Sequence, residues 1–181
     1  MLIGVIAIAV ILGGCAGGGG GMNIVQSPHS QLQMEANQLV KAGGLAFVGT
    51  GISQREDIAR NKAQNAGRTG LGQALETKVK AYEKQFIEEV GSAGEAEINE
   101  AFQTVSEQLS KTVLVGVLPI NEVITLNEGT YTIYTIMAVD PKTFIQSFQD
   151  QMKEQKALYT RYRQSEMSKE MDKKLEDYDN F

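Results

Sequence analysis

Phe47-Val48-Gly49-Thr50-Gly51-Ile52-Ser53-Gln54-Arg55-Glu56 sets two glycines between an apolar run and a helical pattern. As a phosphate-cradling loop it would make the chain a nucleotide-binding protein; as a turn with a helix cap it makes only a strand-to-helix joint. A dinucleotide loop reads Gly-x-Gly-x-x-Gly, its third glycine letting helix and strand touch, and Gln54 stands in that third place. A P-loop needs a lysine before Ser or Thr; Gly44 and Gly49 have the right separation, but Thr50 stands where the lysine belongs. Both phosphate readings fail at the residue that does the work. Ser53 and Glu56, by contrast, have capping-box spacing, in which the two side chains satisfy free amides at a helix start. The stretch therefore predicts a short strand over 45–48, a glycine turn, and a helix from about Gln54.

That helix runs to Val90, with Ala59, Ala63, Ala66, Leu71, Leu75, Val79, Tyr82 and Phe86 on one face, mostly three or four residues apart. The first half of the face is small enough to lie close on a sheet. Gly67, Gly70 and Gly72 each cost about 1 kcal/mol in a helix interior, so close packing or a kink has to compensate. After the break at Gly91-Ser92-Ala93-Gly94, a second helix carries Ile98, Phe102, Val105 and Leu109 on one face. Glu95, Glu97 and Glu100 in its first turns complement the helix dipole and read as a solvated start rather than a metal cluster.

Two strands follow, 113–126 with an interruption at Pro119, and 131–139, joined by the turn Asn127-Glu128-Gly129-Thr130 into a β-hairpin. Asp140 then caps a helix with Pro141 at its first position. The pattern from 141 to 178 predicts one long charged helix, about 55 Å in length, whose far end must project or find a partner. Upstream, 32–40 reads as a short helix stopped by Gly43-Gly44. The fold class is α+β: a long helix on a small antiparallel sheet of about three strands, with a long C-terminal helix.

The chain opens on an uncharged apolar run ending in Leu12-Gly13-Gly14-Cys15, too short to span a bilayer but suited to the apolar part of an export signal. Its end resembles the lipobox of bacterial lipoproteins, which implies cleavage between Gly14 and Cys15 and acylation of Cys15. The first basic residue is Lys41, so a translation start upstream of Met1 is expected. Cys15 is the sole cysteine, which excludes an intrachain disulfide. Ala16 at the next position favours the outer membrane, by likeness to other such lipoproteins. Residues 17–21 are all glycine, a composition suited to a tether. The divisions expected are a lipoprotein signal peptide over 1–14, lipidated cysteine and tether over 15–30, an α+β domain over 31–140 and the charged helix over 141–181.

A formal charge of −5, from 17 basic and 22 acidic residues, argues against nucleic acid as a partner. No catalytic, cofactor or metal constellation is selected by spacing. The single histidine, His29, stands in what reads as a linker, and carboxylates such as Glu88 and Glu89 fall on charged helix faces.

Val48-Gly-Thr-Gly-Ile-Ser-Gln-Arg-Glu-Asp-Ile-Ala-Arg-Asn-Lys-Ala63, closed later by Thr130-Tyr-Thr-Ile-Tyr and a strand ending Val139-Asp140, resembles the LPP-twenty lipoprotein family over about residues 42–140. That family includes FlgP-like outer-membrane lipoproteins of flagellar disks and rings. The resemblance implies an α+β domain and no enzyme. It points to a lipid-anchored structural protein of the envelope, held in the membrane by N-terminal acyl chains and assembling with its own copies or an envelope machine. The alternative is a surface binding module, an adhesin, antigen or ligand carrier, that uses the sheet face or the side of the hairpin carrying Tyr131 and Tyr134, expected on one β face.

Overall fold

The computed structural model describes residues 27–115 and 117–179, so Gly14, Cys15 and the glycine run lie outside the described residues. The fold is α+β. Helix α1 (Pro28–Lys41) leads into strand β1 (Leu45–Ser53), helix α2 (Glu56–Val90) and helix α3 (Glu95–Thr112). The hairpin β2 (Pro119–Asn127) and β3 (Thr130–Val139) follows, and then α4 (Pro141–Glu154), α5 (Lys156–Gln164) and α6 (Glu166–Asp179). The sheet is antiparallel in the order β1-β3-β2. The hairpin turn forms as expected, with Glu128 at φ 48° and Gly129 at φ 76°, the mirror-image turn that suits twisted strands.

Pairing every second residue to one face gives the sheet two different covers. Ile133, Met137 and Val139 of β3 meet α2 and the helices beyond it, whereas Ala46, Val48 and Ile136 meet Leu32 and Ala36 of α1. Helix α1 begins at Pro28, capped by Ser27, so the span 28–30 expected as tether is helical, and His29 packs edge-on against Tyr134 at 5.7 Å. Tyr134 packs on the α1 side, with Ile136, while Tyr131 packs on the α2 side with Ala59 and Ala63. The expected one-sided tyrosine pair is thus corrected: a separation of three residues in an element of period two puts the rings on opposite faces.

Two further expectations are corrected. β1 does not stop at Val48 but continues through both glycines to Ser53. Ser53 therefore ends a strand, and the capping box does not form: the N-cap of α2 is Arg55, whose side chain donates to Asp57 and caps no backbone amide, and Glu56 is already inside the helix, bonded to Arg60 at 2.8 Å. Ser53 Oγ accepts from the Arg55 amide instead, at 3.2 Å. Asp140 does cap α4, accepting from the Thr143 amide at 2.9 Å with Pro141 next in line.

The segment from 141 is three helices rather than one. Gln155 (φ −82°, ψ 67°) and Ser165 (φ −70°, ψ 153°) leave helical geometry, and each break redirects the chain inward. Ser165 works on both sides of its break, donating to the Tyr162 carbonyl at 2.7 Å and accepting from the Ser168 amide at 3.2 Å. Glu89 of α2 accepts from the Glu166 amide at 2.8 Å, so a carboxylate from another helix holds the start of α6. Tyr162, Met167 and Met171 end fully buried in one cluster with Phe86, Phe102, Phe144 and Phe148. The segment up to Met171 thus folds back onto the core instead of projecting, while Tyr178 in the last turn of α6 stays 41% exposed.

Candidate functional site

The Gly-x-Gly stretch lies where α2 crosses β1. A side chain at Gly49 would overlap the Ala63 carbonyl and the Gly67 backbone, and one at Gly51 would overlap the Ala59 carbonyl and the Ala63 amide. Opposite them, a Cβ at Gly67 would run into Met137, and one at Gly70 into the ring of Phe47. The glycines on both elements thus serve a backbone-to-backbone seam, with Ala59 and Ala63 fully buried in it. No room for a phosphate remains between strand and helix. The close packing that offsets Gly67 and Gly70 is this seam; Gly72 lies outside it.

Past the seam, α2 leaves the sheet and its second half faces α3 and the C-terminal helices. There Lys78 reaches back under the α1–β1 turn, donating to the carbonyls of Gly43 at 2.5 Å and Gly44 at 3.0 Å, with its ammonium 4.5 Å from the centre of the Phe144 ring. Burial, and then the neighbouring Lys174 ammonium, push the Lys78 amine down to about 8. Burial pushes the hydroxyls of Tyr82 and Tyr162 up to about 12. These shifts have opposite consequences. Lys78 sheds its proton more easily folded than unfolded, so it adds stability as pH rises from about 8 towards 10.5. The tyrosines resist ionisation when folded, so their contribution is intact below pH 10 and is lost between 10 and about 12. Each group changes stability by about 1.4 kcal/mol per pH unit within its window. Thermal melting should therefore climb between pH 8 and 10 and fall steeply above it, and Lys78→Met should flatten the climb but keep the fall.

Other charged pairs link elements of the fold. Arg60 of α2 bonds Glu56 at 2.8 Å and Glu122 of β2 at 3.0 Å, tying the helix to the far strand. Arg163 meets Asp172 at 3.1 Å and Gln149 meets it at 2.7 Å, which stitches α4, α5 and α6 together. Glu95, Glu97 and Glu100 are exposed on α3. Among the described residues no group of three His, Cys, Asp or Glu side chains could hold a metal, and no helix is long and apolar enough to cross a membrane. The groove between α2 and α3, about 480 Å³, has Val79 and Phe102 at its floor and Glu76, Lys80, Glu83 and Glu107 around it.

The sequence reading missed Lys78 and Ser165. Ser165 had a readable signal, since a serine before Glu166 in the first turn marks a helix start. Lys78 had none, because its carbonyl partners lie more than thirty residues away. Comparison of the chain with protein-family models, with curated proteins and with solved structures found no match.

Proposed function

We propose that this protein is a non-enzymatic lipoprotein, anchored by acyl chains on Cys15 in the outer membrane, with a structural, assembly role in the cell envelope. The observation that carries the reading is the apolar run closed by Leu12-Gly13-Gly14-Cys15 and followed at once by five glycines, an arrangement that would anchor a folded body and let it stand off a bilayer. The body itself supports it: Arg60, Lys78, Glu89 and Arg163 are spent on joining helices to one another, to the sheet and to the α1–β1 turn. A disk- or ring-forming role follows from the resemblance to the LPP-twenty family over residues 42–140. The binding-module alternative loses the one-sided tyrosine pair, which is split between two faces, and keeps only the sheet face.

The test is the mass of the mature N-terminal peptide together with membrane fractionation. A peptide beginning at Cys15 with acyl mass added, and a Cys15→Ser protein that moves to the soluble fraction, is the expected result. An unmodified Cys15 in a membrane-free wild type would overturn the reading.

A further inference from the structure

We propose that the outer edge of β2 docks a second copy of this chain, the two β2 strands pairing antiparallel across a two-fold axis to make a six-stranded sheet. The inference deepens the assembly reading above by naming the partner and the surface, and rests on that reading only for its setting at a membrane.

The two edge strands differ. α2 lies directly over β1, and Lys62 reaches from it to the Ile52 carbonyl at 3.1 Å, leaving an ammonium at that strand, a common guard against strand addition. The guards of β2 are confined to its first half, where Pro119, the bulge between Pro119 and Asn121, and the Glu122 amide donating to Asn121 Oδ1 at 2.8 Å interrupt the edge; Val123–Asn127 has none. Among the described residues no backbone hydrogen bond reaches it except from β3. On one face its apolar side chains are uncovered, Ile124 at 41% and Leu126 at 60% exposed, as are Ile120 at 53% and Leu118, just before the strand, at 70%. Ile124 and Leu126 stand opposite Ile133 and Tyr131, so they sit on the face that α2 covers over β1 and β3 but leaves bare here.

Charge and geometry select a second copy as the occupant. The one ionisable residue within the strand, Glu122, is already paired with Arg60 at 3.0 Å, so two identical edges meet without like-charge repulsion. With Ile124 on the axis, Ile124 faces its own copy and Glu122 faces Leu126 of the partner subunit, whereas an axis at Glu122 would oppose two carboxylates. An antiparallel edge-to-edge pair keeps the same sheet face up in both copies. Both α1 helices then lie on one side of the joined sheet.

The test is light scattering on the full chain in detergent, with the wild type compared with Ile124→Lys, Leu126→Lys and, on β1, Ile52→Lys. The expected result is a wild-type mass of two protomers that falls twofold in both β2 variants and stays unchanged in the β1 variant, with thermal melts alike. Hydrogen exchange on the wild type guards against misfolded variants: slow exchange along both edges of Val123–Asn127 supports the pairing. A wild-type monomer, a mass that neither β2 change moves, or fast exchange on the outer edge overturns it. Cys15→Ser separates the two proposals, since it should release the protein from the membrane while leaving the mass of two protomers.

Discussion

Truncation after Tyr159 is expected to leave a chain without a cooperative unfolding transition, rather than a folded domain missing a tail. The removed residues include Tyr162, Met167 and Met171, each at most 1% exposed and each part of the cluster that holds Phe86, Phe102 and Phe148. Emptying one such position typically costs about 2 to 5 kcal/mol, and a domain has only about 5 to 15 kcal/mol in total. Three buried side chains lost together exceed that reserve. Circular dichroism should show reduced helix content and a broad, non-sigmoidal melt. A sharp transition within a few degrees of the wild type would mean that α5 and α6 are peripheral.

The second large effect is expected at the seam. Gly49→Val should destabilise the protein by about 3 kcal/mol or more in urea unfolding, because the groups in the way are the Ala63 carbonyl and the Gly67 backbone, which have no rotamer to change. The helix would have to lift, and the contacts of Ala59 and Ala63 would open with it. Gly72→Ala is the companion change. Its Cβ would meet only Leu114 Cδ1 at 3.6 Å, an ordinary contact, so removing a helix glycine should raise stability by about 0.5 to 1 kcal/mol. If Gly49→Val proved as mild as Gly72→Ala, the close approach of β1 and α2 would not be what the glycine at 49 serves.

The two predictions concern the places where sequence and structure part. Between Phe47 and Glu56, local signals favoured a turn and a capping box, yet the chain stays extended to Ser53. What overrode them is non-local: β3 pairs with β1 all the way from Leu45↔Val139 to Ser53↔Tyr131, and α2 presses on the glycines from above. From 141 onward the helical period was real, but apolar residues at 144, 148, 152, 158, 162, 167 and 171 cannot all face one core from a single straight rod. Single-residue breaks at Gln155 and Ser165 let three short helices present them in turn.

The sequence by itself determined α3 with its buried stripe Ile98, Phe102, Val105 and Leu109, the hairpin turn at Glu128-Gly129 and the Asp140 cap, along with the α+β class. Each depends on interactions between residues a few positions apart, which periodicity and turn chemistry record directly. Only the tertiary structure decided that Gly49 and Gly51 are a packing seam, that Lys78 holds the α1–β1 turn, and that the C-terminal segment closes the core. Those depend on backbone and side-chain atoms tens of residues apart coming within a few ångströms, and a linear pattern carries no term for that distance.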